Sequence, residues 1–278
     1  KPIRAIHFRA NLAGLCPIVL AFLMTLSSPV AAQDFQKGLA ASQAGDYATA
    51  LQEWKPLAEA GDTNAQFNLG LIYANGWGVP QNYKEAIKWY TLAAEQGLAQ
   101  AQNNFAALYV YGEGIPQDYT EALKWYRLAA EQGLADAQFD LGTMYDMGQG
   151  VPQDYAEAMK WYRLAAEQGF AKAQYNLGVM YHTSRGVSQD YTEALKWYRL
   201  AAEQGLAQAQ NNLGAMYQKG QGITQDNAMA YMWYNIGSVN GFENSGINKN
   251  NIANILTPAD ISKAQAMARE CMSRGYTK

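Results

Sequence analysis

The sequence predicts an all-α solenoid of stacked antiparallel helix pairs, and three observations carry that prediction. Trp89, Trp125, Trp161, Trp197 and Trp233 fall at equal steps of 36 residues, with Trp54 lying 35 before the first. The ten residues KWYRLAAEQG recur unchanged at 124–133, 160–169 and 196–205, and as KWYTLAAEQG at 88–97. Each period holds two amphipathic helical patterns divided by a glycine-rich turn. A fixed period of this size marks units that cannot bury an apolar face alone and therefore stack on one another.

Taken in chain order, residues 1–32 read as a signal peptide. Lys1, Arg4 and Arg9 form a basic start, an apolar run extends from Leu12 to Leu26, and Val30-Ala31-Ala32 offers a small-residue cleavage site before Gln33. The run is shorter than the ~20 apolar residues of a spanning helix, so no membrane insertion is expected once it is removed. Leu15, before Cys16, stands where a lipid-anchoring signal carries a small residue. The expected location is periplasmic or secreted.

Without residues 1–32 the chain keeps 18 Lys+Arg against 24 Asp+Glu, a net charge of about −6. That balance argues against a nucleic-acid partner or an anionic lipid surface. One histidine, His182, and one cysteine, Cys271, remain. An intramolecular disulfide and a multi-histidine metal site are thereby excluded, and no cofactor or metal is expected.

Residues 33–241 read as six helix-pair repeats. In the copy starting at Ala135, the first segment places Ala137, Leu141, Met144 and Tyr145 on one stripe; the second does the same with Ala158, Trp161, Tyr162, Ala165 and Ala166. Asp118, Asp154 and Asp190 precede second helices, with Glu121, Glu157 and Glu193 three residues on, a capping-box-like arrangement. Gly97, Gly133, Gly169 and Gly205 follow those helices, where a left-handed residue is wanted. Between the two helices, GEGIPQ and GQGVPQ turn the chain. Trp125, Tyr126, Ala129 and Ala130 read as the repeated packing surface, aromatics for area and alanines for close approach. Exposed ligand-binding tryptophans are the rival reading.

The end units depart from the rule, as terminal units of a solenoid do. Residues 35–61 lack the Gly-x-Gly turn and carry Pro56, and residues 242–278 read as a linker followed by a capping helix. Thr257 is its N-cap, Pro258 its first residue, and Ile261, Ala264, Ala268 and Cys271 its apolar stripe. Cys271 on that stripe reads as a small buried hydrophobe, against the alternative of a reactive thiol.

The strings Leu-Gly-x-x-Tyr (69–73, 141–145, 177–181, 213–217) and Tyr-x-x-Ala-x-x-x-Tyr (119–126, 155–162, 191–198) resemble the tetratricopeptide pattern lengthened by two residues in the loop. The lengthened form, with its G-x-G-V-P-Q-D-Y and K-W-Y-R-x-A-A-E-x-G stretches, is similar to the Sel-one-like repeats. That resemblance implies a right-handed superhelix whose first helices line a concave groove. It also suggests an exported protein of a Gram-negative bacterium, a probable monomer by default, and a protein or peptide partner rather than a substrate.

Catalytic patterns are absent from the sequence. It contains no G-x-S-x-G, no H-E-x-x-H, no phosphate-binding P-loop, and neither Ser-x-x-Lys nor Lys-Thr-Gly. The Gly-x-Gly pairs lie between helices and read as turns. Asp140 and Asp146, six apart on one helix, are the candidate carboxylates for the alternative of an envelope hydrolase acting on peptidoglycan or polysaccharide.

What remains is a surface. On the first helices the positions of Phe67, Asn103, Phe139, Tyr175 and Asn211 change from copy to copy, as do those of Leu71, Ala107, Thr143, Val179 and Ala215. Beside them one polar position barely changes: Asn68, Asn104, Asp140, Asn176, Asn212. By the resemblance this stripe faces the groove, with the asparagines holding a partner backbone and Phe67, Phe139, Tyr175 and Val179 giving selectivity. The alternative is that each asparagine bonds a neighbouring helix. Trp77, alone of its kind among the turns, reads either as an exposed anchor or as a side chain tucked against an adjacent loop. The expected function is a non-catalytic interaction scaffold of the bacterial envelope, with a secreted factor acting on host or neighbouring cells as the alternative.

Overall fold

The computed structural model describes residues 29–276, so most of the expected signal peptide lies outside the described residues. Fourteen helices and no strand are present among those described. The chain divides into two compact units, residues 1–132 and 133–278. The first contains α1 (Pro29–Gln43), α2 (Tyr47–Glu59), α3 (Thr63–Asn75), α4 (Tyr83–Glu95), α5 (Ala99–Tyr111) and α6 (Tyr119–Glu131). The second contains α7 (Ala135–Met147), α8 (Tyr155–Glu167), α9 (Ala171–Thr183), α10 (Tyr191–Glu203), α11 (Ala207–Lys219), α12 (Asn227–Val239), α13 (Glu243–Ala253) and α14 (Pro258–Ser273). Within each unit consecutive helices pack on one another up to α13, first with second and second with the following first, and α14 packs back on α12. The fold is an all-α solenoid of helix pairs.

The second helices start where the aspartates stand. Asp154 Oδ1 accepts from Ala156 N and Glu157 N at 2.9 and 3.0 Å, and Asp118 and Asp190 repeat the arrangement. The glutamate half of the expected capping box does not close. Asp154 N already donates to Tyr145 O at 3.0 Å, so no N-cap amide is left for Glu157, which pairs with Lys160 instead. At the far end Gly169, at φ 87°, lets Phe170 N reach back to Ala165 O at 3.0 Å, closing the last turn.

The repeated Lys-Trp-Tyr stretch is held chiefly through its tyrosine. Tyr90, Tyr162, Tyr198 and Tyr234 are each at most 1% exposed. Tyr162 lies against Gly142 of its own first helix so closely that a Cβ there would fall 2.8 Å from Cδ1; for Tyr198 and Gly178 the figure is 2.5 Å. Trp54 belongs to this series and not to the tryptophans, because it lies over Gly38 as the tyrosines lie over their glycines. Its Nε1 donates to Phe35 O at 3.2 Å. Trp89 packs in the next layer with Trp54, Leu69 and Ile72.

A buried amide ladder joins consecutive pairs. Gln174, 4% exposed, donates to Ala166 O at 3.1 Å and accepts from Gln204 Nε2 at 2.7 Å. Gln66 with Gln96, Gln102 with Gln132, and Gln210 with Asn240 repeat the pairing. Each of Gln66, Gln102, Gln174 and Gln210 thereby adds a second donor to a carbonyl at a helix C-terminus that a glycine N–H already reaches.

The stretch read as a linker after 241 is helical over Glu243–Ala253, a correction to the expected boundary. Its Asn-rich sequence has little amphipathic pattern, and only Ser245 and Ile252 are buried, so the helix is formed by contact with α12 rather than by its own periodicity. The expected capping helix is α14. Thr257 Oγ1 accepts from Asp260 N at 3.2 Å, and Ala264 and Ala268 are fully buried against α12. Cys271 is half-buried beside the same core, and burial raises its thiol pKa.

Candidate protein-interaction face of the first helices

In the first unit α3 carries Phe67, Asn68 and Leu71, and α5 carries Asn103, Asn104 and Ala107. Phe67 is half-buried, its ring 6.0 Å from that of Tyr90. Asn104 is buried and donates to the Tyr90 hydroxyl at 3.4 Å. Asn68 is half-buried; fourteen residues before it stands Trp54, which has no hydroxyl to offer. Trp77 is half-buried and stacked on Tyr47 of the preceding pair, centroids 5.1 Å apart and planes at 22°. That is the tucked arrangement, made against a helix rather than a loop.

In the second unit the stripe runs along α7, α9 and α11. Phe139 lies 5.7 Å from Tyr162 and 5.2 Å from Phe170, and Tyr175 lies 5.8 Å from Tyr198. Phe139, Tyr175 and Val179 are all half-buried, supported from below by the fixed tyrosines and open above. The tyrosine hydroxyls here have other hydrogen-bond partners: Tyr162 donates to Thr143 Oγ1 at 3.2 Å, and Tyr198 lies 3.5 Å from His182 Nδ1, with Asn176 and Asn212 beside them. Burial is the first cause of the raised tyrosine pKa values, pushed up to about 12 for Tyr162 and Tyr234. At Asn104 the recurrent asparagine is a tie between one pair's first helix and the preceding pair's tyrosine. Sequence reasoning had neighbouring helices as one option, with backbone rather than a hydroxyl as the acceptor.

At the edge of the stripe Asp146 and Arg185 form an ion pair at 2.8 Å, with the guanidinium 4.8 Å above the Tyr155 ring. His182 stands edge-on to Tyr191 and Tyr198, and burial, then Lys219, lowers its pKa. Asp146 is committed to Arg185, so the Asp140/Asp146 pair does not present two free carboxylates. Among the described residues no group of three or more His, Cys, Asp or Glu could hold a metal ion. No described helix is long and apolar enough to cross a membrane. The glutamine ladder is the feature sequence reading missed. Its signal is the unvarying Ala-Gln at 65–66, 101–102, 137–138, 173–174 and 209–210, two residues before the asparagine position.

A repeat solenoid with a half-buried aromatic stripe and no reactive constellation defines a class, that of helical-repeat binding proteins. A Sel1 repeat model matches residues 63–98, 99–134, 135–170, 171–206 and 207–238, and the chain belongs to the Sel1 repeat family. Proteins of this family are generally non-catalytic scaffolds that mediate protein interactions. The chain is similar to a Sel1 repeat protein from Oxalobacter formigenes, with 34% identity and a TM-score of 0.71 over 78% of this chain and 64% of that one. It is also similar to c5321, described as a protective antigen present in uropathogenic Escherichia coli strains, with 28% identity and a TM-score of 0.58 over 88% of this chain and 62% of that one. The chain thus spans just under two thirds of both relatives. No curated protein matches it.

Proposed function

We propose that this protein is an exported, non-catalytic scaffold of the bacterial cell envelope that holds a peptide or protein partner on the face of its first helices. The observation that carries the reading is a division of labour among repeats. The frame is constant in tyrosine and glutamine and, but for Ala106, in glycine, whereas Phe139, Tyr175, Val179 and their counterparts differ from copy to copy on top of it. Half-buried aromatics braced by a rigid layer lose little freedom when a partner covers them, which favours binding. Export rests on the sequence of residues 1–32, and the working form is a monomer without metal or cofactor.

A photo-crosslinking residue at Val179, in protein incubated with envelope extract, gives a discrete adduct that the same residue at exposed Lys55 does not. Equal adducts from both positions, or none from Val179, sink the reading. The similarity to a protective antigen of uropathogenic strains supports a second reading, a factor presented outside the cell. Protein recovered from the periplasmic fraction alone excludes it.

A further inference from the structure

The second helices α6, α8 and α10 repeat an outward triad of Lys, Arg and Leu, with Thr91 in the Arg place on α4, that the proposed first-helix face does not use. Leu92, Leu128, Leu164 and Leu200 are 38 to 46% exposed, unusual for leucines at a strictly repeated position. On α8 the triad edges an open groove of about 430 Å³, lined by Ala156, Met159, Lys160, Arg163 and Leu164 and closed at one side by Gly186 of the next turn. Its floor is apolar, and both charged groups lining it are cations. Arg163 is fixed there by donating to the Tyr181 hydroxyl at 2.7 Å, and Lys160 Nζ lies 5.3 Å above the Trp161 ring, within 3.4 Å of Glu157.

The chain itself shows what such a surface accepts. Two repeats on, α12 carries Tyr231, Met232, Asn235 and Ile236 at the positions of Met159, Lys160, Arg163 and Leu164. There both cations are replaced by neutral residues, and Met232 and Ile236 fall to 2% and 0% exposed. What covers this face is α14, a helix: Ala264 and Ala268 share one core cluster with Tyr231, Met232 and Ile236, and Gln265 donates to the Tyr231 hydroxyl at 3.2 Å. Asn240 donates to Tyr276 O, just past the end of that helix, at 2.8 Å. Where the surface is neutral, the chain's own helix occupies it; where it is basic, it is open.

We infer that the α8 groove docks an amphipathic helix of a partner protein, its apolar stripe on Met159 and Leu164 and its flanking carboxylates toward Lys160 and Arg163. An apolar floor with a basic rim selects an acidic helix and repels a basic one. This surface lies on the second helices and is independent of the first-helix reading.

The test uses the full chain and a pair of labelled 16-residue helical peptides, the length of α14. Both carry one leucine stripe, flanked by glutamates in one and by lysines in the other, and binding is read by fluorescence anisotropy. The glutamate peptide binds, more weakly as salt rises, and Lys160→Glu and Leu164→Ser each weaken it about tenfold. Val179→Ser leaves it unchanged, so failure here is distinguishable from failure of the first-helix face. Circular dichroism melts confirm that each variant is folded. The inference is overturned if the glutamate peptide does not bind, if the lysine peptide binds equally, or if both groove variants bind as the parent does. Equal binding by a peptide of residues 258–273 overturns it in favour of a second copy's α14 as the occupant.

Discussion

At the residue scale the fold depends on a few side chains with no substitute. Tyr162 and Tyr198 fill the space that Gly142 and Gly178 leave open, and the glycine is there for the ring rather than for the backbone. Ala106 holds the equivalent place in α5, so the site tolerates one methyl where its neighbours have adjusted. Ser184 is a different case. It caps α9 in the left-handed region at φ 59°, the only described non-glycine residue with positive φ, where every sister turn has glycine. A side chain there is strained by roughly 1 kcal/mol. Ser184→Gly is therefore expected to raise stability by about 0.5–1 kcal/mol, read as a higher denaturant midpoint with an unchanged slope.

At the element scale the helices are joined more by amides than by ion pairs. The i,i+3 Glu–Lys pairs on the second helices are exposed and screened by solvent, so they contribute little to stability. Gln174 is buried between pairs, and Gln174→Leu removes its bonds to the Ala166 carbonyl and the Gln204 amide. A loss of about 2–3 kcal/mol is expected, measured by urea denaturation, and Lys160→Ala serves as the near-neutral comparison. The capping element makes the complementary point. Removing residues 257–278 uncovers Tyr231, Met232 and Ile236, at a cost on the order of 5 kcal/mol in the second unit. The truncated chain should bind a hydrophobic dye that the full chain does not; no dye binding and an unchanged melt would refute the capping role.

At the scale of the whole molecule, one chemistry recurs in both units: tyrosine hydroxyls kept protonated in the interior. Burial raises the pKa of Tyr90, Tyr162, Tyr198 and Tyr234 above the ordinary 10.0, to about 12 for Tyr162 and Tyr234. Below pH 10 both folded and unfolded chains are protonated and the contribution is intact. Above it the unfolded chain releases protons that the folded chain retains, so stability falls with rising pH toward the folded pKa. The expected slope is about 1.4 kcal/mol per pH unit for each tyrosine that ionises only on unfolding. Denaturation midpoints followed with tyrosinate absorbance check this: both should change together, and Tyr162→Phe should flatten the slope.

The division between sequence and structure follows from what repetition can express. An interval of 36, two helical stripes per interval and Asp and Gly at the helix ends determined the helix pairs, their boundaries and the closing helix, because each is set by contacts close in sequence or repeated identically. The sequence also marked Phe139, Tyr175 and Val179 as the changing positions. Only the tertiary structure decided where side chains of different pairs meet. It placed Trp54 in the tyrosine series, made helix α13 out of an Asn-rich stretch, tied Asn104 to Tyr90, and left Lys160, Arg163 and Leu164 around an open groove. Those outcomes depend on distances between residues many positions apart, and a periodic pattern fixes such distances only once the helices have packed.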